Sequence, residues 1–176
     1  MFSRLIFIIF VVGLAVVVVA GNASAGLQPV ARTPDYGRFH ALIIGNDDYK
    51  NIPKLQSAGH DAKAISAVLK EKYGFDVTLL LDATRYQIMS AFSRLRQKLT
   101  ETDNLLIYFA GHGVLYPAAD AGFWLPVDAE PDNDANWIPN SDVARYLRTI
   151  EARHIIVIAD TAFAGTLTRA TASALA

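Results

Sequence analysis

Two short polar stretches carry the side chains best suited to chemistry. Gly111-His112-Gly113 follows the apolar run Leu105-Leu106-Ile107-Tyr108-Phe109-Ala110, and Asp160-Thr161-Ala162-Phe163-Ala164-Gly165 follows a second run, Ile155-Ile156-Val157-Ile158-Ala159. Glycines on both sides of an imidazole let the backbone turn sharply, leave the ring unshielded and open a neighbouring N–H to an incoming carbonyl. A general base beside an acyl-transfer site needs that reach and exposure. Each stretch also has a plainer reading. His112 is equally a surface histidine in a glycine turn, and Asp160 or Thr161 is equally the N-cap of a helix after a strand.

The elements that would hold these residues follow from the apolar pattern. Residues 39–44, 77–81, 105–110 and 155–159 read as short buried strands. Helical spacing begins at Asp61, with Ile65, Val68 and Leu69 on one stripe, and Gly74 stands where that helix would stop. Thr84 reads as the N-cap of a helix to about Leu99 with Ile88, Phe92, Leu95 and Leu99 facing inward, and Ser141 as the cap of a short helix to Arg148. Residues 114–139, rich in Gly, Pro and Asp, read as an insertion with a small hairpin. Alternating strands and helices predict an α/β sandwich with a mainly parallel sheet. In such sheets sites form beyond the carboxyl ends of the strands, where both polar stretches fall.

The spacing of 50 from His112 to Ala162 is the histidine-to-cysteine interval of caspases. With Ala41-Leu42-Ile43-Ile44-Gly45, Tyr108-Phe109-Ala110-Gly111-His112-Gly113 and Ile158-Ala159-Asp160-Thr161-Ala162-Phe163-Ala164-Gly165, the chain resembles the caspase and metacaspase family of cysteine peptidases over roughly residues 38–168. The resemblance implies a three-layer caspase-like sandwich of the p20 type. It implies a thiolate attacking the scissile carbonyl, His112 exchanging the proton, and an oxyanion hole from the N–H groups of Gly113 and residue 162. It also implies that Asp61 and Asp160 bind a basic P1 side chain, Arg or Lys; on plainer grounds Asp61 is a first-turn helix acid.

Three departures from the family follow. Position 162 is alanine, and the chain has no cysteine at all, so the domain is expected to be inactive as a peptidase, with peptide binding retained. Thr161 is adjacent but one residue out of step. Few residues follow the second polar stretch, so the C-terminal part of the fold is expected to be missing, with at most a short helix over 166–176, an unpaired strand edge and either a partner chain or a continuation of the gene to complete the sheet. Of the acids that bind calcium in metacaspases, Asp128 and Asp142 match loosely and Arg169 stands where another acid is expected. No cofactor is therefore expected, with a weak calcium site as the alternative, and Asp128, Glu130, Asp132 and Asp134 read as a solvated loop.

Composition bounds the rest. The 176 residues suffice for one domain, and a formal net charge of −1 gives no field that would recruit nucleic acid. The expected partner is a peptide or protein ligand. Residues 5–20 form an apolar run behind Arg4, and Ala23-Ser24-Ala25 is a small-residue cleavage pattern. Residues 1–25 are accordingly expected to be a signal peptide that delivers a secreted or periplasmic protein. The alternative is an uncleaved membrane anchor, for which the run is short of the ~20 residues that span a bilayer. Residues 26–37 read as a linker and 38–176 as the domain. The absence of a Gly-rich phosphate loop after the first strand argues against a flavodoxin-like binding domain.

Overall fold

The structure, a computed structural model, describes residues 36–116 and 121–163. Strand β1 (Phe39–Gly45) is buried from His40 onward on both faces, because helices cover both. Leu42 and Ile44 pack with Ile88, Phe92 and Leu95 of α2 (Arg85–Lys98) and Val143 of α3 (Asn140–Thr149). Ala41 and Ile43 pack with Ala58 and Ala62 of α1 (Ala58–Tyr73). The period of two along the strand thus divides the molecule into three layers. Strands β2 (Asp76–Leu81), β3 (Asn104–Tyr116), β4 (Ala121–Trp124), β5 (Ile138–Pro139) and β6 (His154–Phe163) complete one sheet in the order β2-β1-β3-β4-β5, with β6 on β3. β1 runs parallel to β2 and β3, and β3 parallel to β6; only the β3–β4 and β4–β5 pairs are antiparallel. This is the mainly parallel α/β sheet that the alternation predicts.

The helices start in two different ways. Thr84 caps α2 locally: its hydroxyl accepts from the Gln87 N–H while Gln87 Oε1 accepts from the Thr84 N–H, a reciprocal capping box. Helix α1 has no such local cap. Asp47, eleven residues upstream, reaches across and accepts from the N–H groups of Ala58 (2.9 Å) and Gly59 (2.8 Å). α1 also lies very close to β1. A Cβ on Gly45 would stand 2.5 Å from the Ala58 carbonyl oxygen and 2.6 Å from the Ala62 Cβ, so small residues are required on both sides. Val68, expected on the inward stripe, is 43% exposed; Ala58 and Ala62 hold the closest approach instead. Gly74 ends α1 in the left-handed conformation, as expected.

Two strands are longer than their apolar runs. β3 passes straight through Gly111-His112-Gly113, and β6 through Asp160-Thr161-Ala162. Neither Gly111 nor Gly113 has a positive φ, so the sharp turn expected there is replaced by extended backbone. Those glycines answer to crowding: a Cβ would stand 2.6 Å from the Tyr49 hydroxyl at 111 and 2.9 Å from the Thr161 Cβ at 113. Likewise Asp160 and Thr161 are ladder residues rather than helix caps. The hairpin expected within 114–139 is the β3–β4 pair.

At the amino end of the sheet, His40 is buried between two carboxylates. Its Nδ1 lies 3.4 Å from Asp76 and its Nε2 3.7 Å from Asp103. Lys98 binds Asp76 at 2.5 Å. Among the described residues no helix is long and apolar enough to cross a membrane. The expected signal segment, nearly all of the linker, Arg169 and the expected helix over 166–176 lie outside the described residues.

Candidate functional site

β1 ends at Gly45, opposite Ala110 of β3, whereas β3 and β6 stay paired for three more residues, Gly111↔Thr161, His112↔Ala162 and Gly113↔Phe163. Position 162 is therefore the direct ladder neighbour of His112, on a strand about 4.8 Å away. The loop after β1 folds back over this overhang. It is pinned by Asp82, whose Oδ1 accepts from the N–H groups of Asp47 and Asp48 (both 2.8 Å). Asp82 itself adopts φ 49°, which a short polar side chain tolerates. Asn46, fully buried, accepts from the Ala83 N–H at 2.9 Å and joins the end of β1 to the start of α2.

The loop supplies two residues that hold His112. Tyr49 accepts from the His112 N–H (2.8 Å) and donates its hydroxyl to the Leu125 carbonyl (3.0 Å). The two rings lie 4.8 Å apart at 53°. The Leu125 N–H returns to the His112 carbonyl at 3.0 Å. Burial pushes the Tyr49 hydroxyl well above the ordinary range, against a smaller opposing pull from the His112 N–H, so Tyr49 stays a neutral phenol. The second residue is Pro53, whose carbonyl lies 2.9 Å from His112 Nε2. A carbonyl only accepts, so Nε2 carries the proton there and Nδ1 is the nitrogen with a lone pair for proton exchange. His112 is only 5% exposed. The structure thus replaces the expected unshielded imidazole with one oriented from three sides.

The remaining sequence candidates fall as follows. Asp160, exposed on β6, accepts from the Tyr108 hydroxyl at 3.2 Å. Asp61 lies in the first turn of α1, 3.4 Å from the His60 ring. Burial, followed by the charges of Asp160 and Asp61, raises the Tyr108 hydroxyl to about 12. Asp160 thus touches this phenol directly and Asp61 acts on it through its charge, although 99 positions separate the two acids in the chain. Gly113 is flanked by strands on both sides, paired with Trp124 and with Phe163. Thr161 packs over Gly113, one residue out of step with Asp160 and so on the other face.

Asp128 and Asp142 serve α2. Asp128 accepts from the Arg85 N–H at 3.0 Å, and Asp142 lies 3.6 Å from the Arg85 guanidinium and 2.9 Å from that of Arg145. Among the described residues no group of three or more His, Asp or Glu is placed to hold a metal ion. Tyr49 and Pro53 escape sequence reasoning. The one available signal was the loop's position directly after the first strand, on the rim where sites form.

A caspase-domain peptidase model, Peptidase C14, matches residues 38–174. The human mucosa-associated lymphoid tissue lymphoma translocation protein 1 is 36% identical over 89 residues, which cover 51% of this chain and 10% of that protein. Its mouse homologue matches to the same extent. The chain therefore spans about a tenth of the length of these curated relatives. The crystal structure of protein GSU0716 from Geobacter sulfurreducens is similar with a TM-score of 0.60 at 21% identity, covering 79% of this chain and 56% of that one. At that identity the likeness speaks for the fold.

Proposed function

This chain belongs to the caspase-domain peptidase family, and from that premise we propose that it recognises peptides with a basic residue before the would-be scissile bond but does not cleave them, because the nucleophile position holds Ala162. The observation that carries this reading is the ladder pair His112↔Ala162, together with the Pro53 carbonyl on Nε2. A thiol at 162 would sit beside an imidazole already held in the tautomer that takes a proton at Nδ1. Attack on the carbonyl carbon would form the acyl-enzyme. The same proton would then leave with the amine, and a backbone N–H of Gly113 or of residue 162 would steady the oxyanion.

A methyl group has no lone pair to give, so none of those steps begins in this chain. Losing a covalent nucleophile lowers the rate by about a millionfold in the subtilisin case. Recognition does not need the nucleophile. Asp160 and Asp61, which both act on Tyr108, offer an incoming guanidinium or ammonium two carboxylates in one place. The domain then works as a non-catalytic peptide binder or as a regulatory partner of an active relative.

The test is Ala162→Cys, assayed on peptides carrying Arg or Lys at P1 against matched peptides carrying Asp. Turnover confined to the basic peptides is the expected result. A folded Ala162→Cys protein that turns over none of them, and an unmodified chain that does not bind the Arg peptide by fluorescence polarisation, would overturn the reading.

A further inference from the structure

Asp47 stands where the two halves of the proposed site meet. One carboxylate oxygen accepts from the Ala58 N–H (2.9 Å) and the other from the Gly59 N–H (2.8 Å), so the side chain caps α1. The main chain of the same residue closes the loop after β1. Its carbonyl accepts from the N–H groups of Tyr49 and Leu55, both at 3.0 Å, and its own N–H donates to Asp82. The loop closed in this way carries Tyr49 and Pro53, the residues that orient His112. The helix carries Asp61, two residues beyond Gly59. One residue thus joins the imidazole to an acid proposed to meet a basic side chain.

A local cap was open to the sequence and is not used. Ser57, at the N-cap of α1, makes no side-chain cap, whereas Thr84 caps α2. Position 59 leaves room for the distant carboxylate: a Cβ there would stand 2.9 Å from Asp47 Oδ2. The close approach of Gly45 to Ala58 and Ala62 sets how deep α1 lies on the sheet, but does not by itself fix rotation of the helix about its axis. Two bonds from one carboxylate to consecutive N–H groups do. A turn of about 20° would carry a side-chain tip ~5–6 Å from the axis through about 2 Å, enough to part a charge-assisted contact. We propose that Asp47 is a positioning residue that holds the Asp61 carboxylate in a fixed place relative to His112. It touches neither substrate nor the reacting atoms, and it acts on the binding of a basic side chain through Asp61.

This inference rests on the peptide-binding reading, and its test separates the two. In the Ala162→Cys background with an Arg peptide, Asp47→Ala is expected to raise KM about tenfold, within the ~10²-fold that a 1 Å misplacement costs, and to lower kcat less. Thr84→Ala removes a cap from α2, which bears no residue of the site. It is expected to lower the denaturant midpoint comparably and to leave KM unchanged. In an Asp61→Asn background, Asp47→Ala is expected to raise KM by less than about twofold, because the carboxylate that it positions has gone. Asp47→Asn keeps one acceptor and is expected to fall between, and it stands in for Asp47→Ala if that variant does not fold. A readout without turnover comes from the unmodified chain. There Asp47→Asn is expected to shift the carboxyl carbon resonance of Asp61 and the ring nitrogen resonances of His112, and Thr84→Ala neither. Failure of the peptide-binding reading would show as parent proteins that neither cleave nor bind the Arg peptide, and these resonances would still decide what Asp47 holds. Unshifted resonances, a KM that tracks the midpoint in both cap variants, or full additivity with Asp61→Asn would each overturn the proposal.

Discussion

Two histidines on neighbouring strands, His40 and His112, are buried almost equally, at 4% and 5% exposure, yet their surroundings assign them opposite work. His40, at the amino end of β1, lies between the carboxylates of Asp76 and Asp103, beside a cavity of about 540 Å³. His112, on the overhang of β3, meets a carbonyl and an aromatic ring. Charge around the first ring makes it a clasp that ties β1 to the start of β2 and to the segment before β3. Neutral, directional partners around the second, the Pro53 carbonyl and the Tyr49 ring, hold it in one orientation and tautomer. The groups around each ring distinguish the two.

The sharpest way to break that contrast is kinetic. In an Ala162→Cys background, His112→Ala is expected to lower kcat/KM by on the order of 10²–10⁴-fold. His40→Ala is expected to change it by no more than about threefold while lowering the denaturant midpoint, since one ring acts and the other only binds. Equal kinetic losses would erase the distinction.

Next in size is Gly111→Ala. The new Cβ would fall 2.6 Å from the Tyr49 hydroxyl, and the overpacked site is expected to lose about 3 kcal/mol in a urea titration. A neutral result would mean that the loop after β1 is looser than its contacts imply. Tyr49→Phe keeps the ring contact but removes the acceptor for the His112 N–H and the donor for the Leu125 carbonyl. Leaving those groups unpaired is expected to cost about 2 kcal/mol. The imidazole ¹⁵N shifts should move as well; unchanged shifts would show that Pro53 alone orients the ring.

The smallest effect belongs to the clasp. For Asp103, burial raises the carboxyl, but the N–H and hydroxyl of Thr100 and the His40 charge outweigh it, so it lies below the ordinary value of 3.8. Asp76 is lowered first by its Lys98 hydrogen bond. A depressed carboxylate stabilises the fold above its unfolded pKa, near 3.9, and that share disappears as pH falls through the depressed value. Asp103→Asn is therefore expected to flatten the decline of the urea midpoint below about pH 4. In 1 M salt the Asp76 share should fade, because that side chain is 57% exposed, while the Asp103 share, at 9% exposure, persists. A decline that Asp103→Asn leaves unaltered would place the acid sensitivity elsewhere.

What could be read from the chain and what could not divide along the range of the interactions. The Thr84 capping box, the inward stripe Ile88-Phe92-Leu95-Leu99 and the stop at Gly74 are local, so residue types a few positions apart disclose them. The parallel sheet follows from alternation. The extension of β3 through Gly111 and Gly113 was not legible. A glycine kept for crowding by Tyr49 and Thr161 looks in sequence like one kept for a turn. The distant cap from Asp47 and the hold of Tyr49 and Pro53 on His112 span the chain and have no period to betray them. Asp61 and Asp160 were nameable as a pair only through the family resemblance; their common neighbour Tyr108 appears only in three dimensions.

The carboxylate of Asp47 gives the first helix an origin outside itself. A peptide of residues 58–73 alone would lack its N-terminal anchor and, at 16 residues, be barely helical in water. In the intact chain the helix and the segment that carries Tyr49 and Pro53 should open together, so their slowest amide protons would exchange at a common rate.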